Sequence, residues 1–188
     1  MSYQKPRIMN DYRDLLLSLI PLVLIAVVFA GAASQCSFSA GGPTQGPIPS
    51  FDAAAALRSD AENLSFPIRE PRLPADWSPN SGSRDTITEA GGGTVSTIGY
   101  ITPRGTYMQL SQSNAAEEVL ARHIADTRYA NGTRQIGEQK WVVYGDPDVE
   151  PAWIADFGAS RVLIRGAGDD DAFTTLARAV TEASPLRK

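Results

Sequence analysis

The chain has 188 residues, of which 43% are hydrophobic, with a formal net charge of -4 and one cysteine. That length accommodates one ordinary domain and an appendage. The acidic balance excludes the basic footprint of a nucleic-acid binder, and a single cysteine excludes an internal disulfide framework.

The charge is unevenly spread. Lys5, Arg7 and Arg13 come first, and then no charged residue occurs between Asp14 and Asp52. Beyond that gap, fourteen basic residues face nineteen acidic ones, so the C-terminal part carries about -5. Within the gap, Leu15 to Ala33 reads LLLSLIPLVLIAVVFAGAA, nineteen residues in which Ser18 is the clearly polar side chain. As a helix this run rises about 28 Å, close to the roughly 30 Å of a bilayer's hydrocarbon core. Pro21 sits near the start, where a missing N–H matters least. A buried core helix is rarely apolar on all sides. A cleaved signal peptide would suit Ala30, Ala32 and Ala33, but its apolar stretch is only about 7–15 residues long. We therefore expect one retained transmembrane helix over residues 15–36, in contact with the lipid bilayer. The basic residues ahead of it place residues 1–14 in the cytoplasm and the rest outside, by the positive-inside rule. Cys36 ends that range, just past the apolar run. Gln35 stands where lipidation requires a small residue, so a free thiol or an intermolecular disulfide fits Cys36 better.

Residues 37–50 form a linker, because Gly-Gly-Pro-Thr-Gln-Gly-Pro-Ile-Pro sustains neither a helix nor a central strand. Extended throughout, it reaches about 40 Å, enough to hold residues 51–188 off the bilayer as a separate domain. Ser50 is expected to cap a helix running to about Leu64, with Ala54, Leu57, Ala61 and Leu64 on one stripe. Pro67, Pro71, Pro74 and Pro79 break the next stretch into short extended pieces, anchored to the core by Trp77. Gly91 to Gly93 make a turn. Thr94–Thr102 and Thr106–Ser113 read as strands joined at Pro103-Arg104-Gly105, a hairpin signal. Asn114, with Glu117 three residues on, resembles a capping box for a helix to about Ala125 that carries Val119, Leu120 and Ile124. Three short strands follow, Gln139–Tyr144, Ala152–Phe157 and Arg161–Arg165. Alternation puts Trp153, Ala155 and Phe157 on one face, and Val162 with Ile164 on one face of the next strand. A last helix begins at Asp169–Asp171 and carries Phe173, Leu176, Ala177 and Val180. Hairpins interrupted by helices imply an α+β domain, a mainly antiparallel sheet with packed helices.

Catalytic signals are weak. His123 is the single histidine, it flanks an apolar helix face, and no Gly-x-Ser-x-Gly elbow occurs. Asp146, Asp148 and Glu150 alternate like calcium ligands, but the glycine and distal glutamate of such a loop are missing. Gly166 and Gly168 precede a helix, yet three aspartates at its start would repel a phosphate. No residue is therefore assigned to catalysis, cofactor binding or metal binding, and no cofactor is expected.

Longer stretches are distinctive as sequence. They are QCSFSAGGPTQGPIPSFD from Gln35 to Asp52, NSGS from Asn80 to Ser83, VSTIGYITPRGTYMQL from Val95 to Leu110, and WVVYG from Trp141 to Gly145. In these pieces the chain resembles the actinobacterial membrane proteins that carry domain of unknown function 4245. The likeness runs from Lys5-Pro6-Arg7-Ile8 through the last helix. It implies a plasma-membrane protein with an external domain and no particular activity. The expectation is a tethered, non-enzymatic interaction module for a protein partner in the membrane or envelope, such as an accessory subunit of a larger complex. The alternatives are a lipid or small-ligand carrier or sensor and, less favoured, a hydrolase.

Overall fold

The computed structural model describes residues 19–27, 51–126, 129–145 and 150–187, and the chain divides into two units, Met1–Pro47 and Ile48–Lys188. In the first unit the described residues form a helix, α1 (residues 19–27), whose leucines, isoleucines and valines are all exposed. Among the described residues no helix is long and apolar enough to cross a membrane. The rest of the expected span, Cys36 and the linker 37–50 lie outside the described residues.

The second unit runs α2 (Ala53–Asn63), β1 (Ser78–Thr86), β2 (Thr94–Ile101), β3 (Tyr107–Ser113), α3 (Glu117–Ala125), β4 (Ala130–Ile136), β5 (Gln139–Tyr144), β6 (Ala152–Asp156), β7 (Arg161–Gly166) and α4 (Asp170–Glu182). The strands make one seven-stranded sheet in the order β1-β2-β3-β7-β6-β5-β4, antiparallel at every pairing. The fold is thus α+β: two meanders joined where β3 pairs with β7. Turn chemistry sets both of the hairpins foreseen. At the first, Gly105 takes φ 77° and its N–H donates to the Thr102 carbonyl at 2.9 Å. At the second, Gly158 takes φ 83° between β6 and β7.

Side-chain alternation divides the interior in two. On one face Ile98, Tyr100, Met108, Leu110, Trp141, Trp153, Val162 and Ile164 meet α2, α4 and the proline-rich segment between α2 and β1. On the other, Val95, Tyr144, Ile154 and Leu163 meet α3 through Val119, Leu120 and Ala121. Trp153 faces Ile164 across the β6–β7 ladder, and its ring lies 5.1 Å from that of Phe173 on α4. The expected cluster of Trp153, Phe157, Val162 and Ile164 with Phe173, Leu176 and Val180 is present, with Phe157 partly buried at its edge. Because β6 and β7 are central and covered on both faces, nearly every residue in them is buried.

Four local expectations need correction. The cap of α2 is Asp52, whose carboxylate accepts from Ala55 N at 2.9 Å, and Ser50 lies outside the described residues. The cap of α3 is Ala116, with no side-chain bond. Asn114 Oδ1 accepts from Thr94 N at 3.0 Å, and Glu117 from the Tyr144 hydroxyl at 2.8 Å, so both capping-box residues serve tertiary contacts instead. The other two corrections are strands not foreseen, β1 and β4. Both are polar edge strands, SPNSGSRDT and ANGTRQI, without the apolar alternation that marks a half-buried strand.

Candidate binding cleft

Pro67, Pro71 and Pro74 keep the chain between α2 and β1 from joining either element, so it crosses the sheet as an extended cover, whereas Pro79, expected to break the chain as well, lies within the edge strand β1. Polar residues of β3 hold it in place. Gln112, 1% exposed, accepts from Arg69 N and donates to Arg69 O, both at 2.8 Å, and so satisfies a backbone residue whose β-pairing is the isolated antiparallel bridge with Pro185. The Arg69 guanidinium reaches back to the Ala183 carbonyl and lies 4.2 Å from the Phe157 ring centroid, and partial burial lowers its pKa. On the C-terminal tail, Leu186 N donates to the Ile68 carbonyl at 2.8 Å.

Between this cover and the N-terminal end of α2 the packing is incomplete. A cleft of about 330 Å³ remains, at the lower end of the range for ligand pockets. Its apolar wall includes Phe51, Leu57, Leu73 and Pro74, and its aromatic floor is Trp77 and Tyr100. The two floor rings meet edge to face at 6.5 Å. Tyr100 is 4% exposed overall and lines the cleft. Burial, and then the charge of Glu70, push its ionisation upward, so it stays a neutral donor. Glu70 and Asp52 also line the cleft, and neither forms an ion pair among the described residues.

Phe51 also lines a second depression, of about 180 Å³, with Asp60, Gly82 and Arg84. Its ring lies directly over Gly82, where any Cβ would collide with it. Asp60 is 4% exposed, ion-paired with Arg84 and hydrogen-bonded by the Ser96 hydroxyl. Arg84 Nη2 also donates to Ser59 Oγ at 3.0 Å. This network ties α2 to β1 and β2.

The residues weighed for chemistry are dispersed. His123 Nε2 lies 2.8 Å from the exposed Asp85 of β1, on the sheet face opposite the cleft. That bond, followed by the Thr86 N–H, holds the Asp85 carboxyl below its ordinary range. Glu150 pairs with Arg165 at 3.4 Å, while Asp146 and Asp148 lie outside the described residues. Asp169 caps α4 by accepting from Ala172 N at 3.0 Å, so the glycines before that helix lead to an acidic start, as read from sequence. Among the described residues no group of three or more His, Cys, Asp or Glu side chains is placed to hold a metal ion. The cleft itself escaped the sequence reading. Its signal in the sequence is Trp77 amid prolines, and Trp77 is also the core anchor expected, at 8% exposure.

No curated protein and no solved structure matches the chain. Residues 7–180 match the family described as protein of unknown function, DUF4245, and the chain belongs to that family.

Proposed function

We propose that this protein is a single-pass plasma-membrane protein of actinobacterial type, whose external α+β domain engages a protein partner of the membrane or envelope through the cleft beside α2. Residues 15–36 serve as the anchor, with the N-terminus cytoplasmic. The nineteen-residue apolar run and the three basic residues ahead of it support that topology. One observation carries the choice of surface: an incompletely packed cleft lined by apolar side chains, Trp77 and Tyr100 opens beside α2. Trp and Tyr are enriched among the residues that carry binding energy at protein interfaces.

A carrier role would need room between sheet and helices for a lipid. That room is filled by Trp153, Phe173, Leu176 and Val180. An enzymatic role would call on His123, which lies with Asp85 on the sheet face opposite the cleft. The non-enzymatic reading therefore has the better support. As an accessory subunit, the protein would co-purify with its complex. Its test is affinity purification of the full-length protein from its native membrane. Ala75→Arg alters an exposed residue of the cleft wall, and Thr133→Arg an exposed residue of β4. The partner should be recovered with wild type and with Thr133→Arg, and lost with Ala75→Arg. Recovery unaffected by Ala75→Arg would remove the cleft from the reading.

A further inference from the structure

We infer that the group received by this cleft is a cationic side chain with an aliphatic stem, a lysine presented by the partner; this rests on the reading of the cleft as a partner site. The argument is one of complementarity. The walls are apolar over most of their extent, through Phe51, Ala54, Leu57, Leu73 and Pro74, and match a methylene stem. The floor consists of two aromatic residues, Trp77 and Tyr100, and aromatic rings attract a positive charge.

Among the described residues, the charged groups of the cleft are all acidic. Glu70 and Asp52 line it, no Lys, Arg or His does, and neither carboxylate is ion-paired among the described residues. Asp52 has one oxygen engaged by the α2 N-terminus and the other available. Glu70 lies close enough for its charge to act on the Tyr100 phenol. An anionic ligand would meet two like charges here. A neutral apolar one would leave the half-buried Glu70 carboxylate without compensation. An ammonium group satisfies the carboxylates directly and can accompany its stem into the aromatic floor. The size agrees: about 330 Å³ takes one long side chain with part of its flanking backbone.

The experiment uses the full-length protein in nanodiscs and follows the indole N–H resonance of Trp77. Trp141 and Trp153, at 0% and 3% exposed, serve as internal references. The probes are the peptide acetyl-Ala-Lys-Ala-amide, the same peptide with its lysine Nε-acetylated, and n-butylammonium. The lysine peptide should shift Trp77 saturably, and the acetylated peptide should bind at least tenfold more weakly. Raising salt should weaken the lysine peptide and leave the acetylated one unchanged. Glu70→Gln should weaken the lysine peptide about three- to tenfold. Tyr100→Phe, which keeps the ring, should weaken both peptides alike. Equal affinity for charged and acetylated peptides would overturn the assignment of a cation while leaving the cleft a partner site. A failure of both peptides to move Trp77 would also overturn it. Tenfold tighter binding of n-butylammonium than of the lysine peptide would make the occupant a free amine and overturn the assignment to a partner's side chain. The partner reading itself is decided separately, by the Ala75→Arg purification.

Discussion

Trp153→Ala should unfold the external domain far more easily, and the size of the loss follows from where the ring sits. Trp153 is 3% exposed on a central strand, opposite Ile164 and 5.1 Å from Phe173 at a 38° tilt. The Arg134 guanidinium lies on its other side, 5.8 Å from the ring centroid. Truncating a buried tryptophan to alanine costs about 3–5 kcal/mol, because transfer and cavity terms add. Domains of this size hold only about 5–15 kcal/mol in all. With a urea m-value of about 2 kcal/mol/M, the midpoint of the fragment Phe51–Lys188 should fall by about 1.5–2.5 M. Trp153→Phe keeps an aromatic against Phe173 and should lose about half as much or less. The assay is equilibrium urea unfolding followed by far-UV circular dichroism. A loss below about 1 kcal/mol for Trp153→Ala would refute the packing of α4 on β6 and β7 described above.

Arg84→Ala should destabilise more than Asp60→Asn, by about 2–3 kcal/mol against 1 or less. It strands a buried carboxylate with only Ser96 for company, whereas Arg84, 44% exposed, can return to water; urea titration of both variants that gave the reverse order would contradict this. Gly82→Ala should cost about 1–3 kcal/mol by displacing the Phe51 ring. In a double-mutant cycle the cost should largely vanish when Phe51 is already alanine; a full cost in that background would mean the ring is not the obstacle. The folded pKa of Asp85 is depressed by His123, so its contribution to stability is present above the unfolded value, about 3.9, and is lost as pH falls through the folded one. In His123→Ala the Asp85 carboxyl should titrate nearer its ordinary value by NMR; an unmoved titration would show that the bond is absent in solution.

Elements with an apolar period could be read from sequence, because periodicity reports burial. The hairpin at Pro103-Arg104-Gly105, the β6–β7 pair and the α4 stripe all came through in this way. The edge strands did not. β1 and β4 owe their strand geometry to hydrogen bonds from β2 and β5, not to any pattern of their own. The caps misled for a related reason, since Asn114 and Glu117 had longer-range partners, Thr94 N and the Tyr144 hydroxyl, that local spacing cannot reveal. Asp60 looked like an ordinary polar residue of a helix. Only the approach of Arg84 and Ser96 makes its burial tolerable. The cleft is the extreme case. Asp52, Glu70, Trp77 and Tyr100 come from three stretches of chain, the start of α2, the proline-rich cover and β2, which meet where the cover crosses the sheet.

The central claim is that this cleft is where the protein meets its partner, and site-specific photo-crosslinking tests it most directly. A benzophenone amino acid placed at Leu73, on the cleft wall, in the full-length protein in its native membrane should give a discrete crosslinked adduct upon irradiation. The same residue at Thr133 on the exposed β4 edge should give none. An adduct from Thr133 with none from Leu73 would contradict the account and move the interaction surface to the sheet edge.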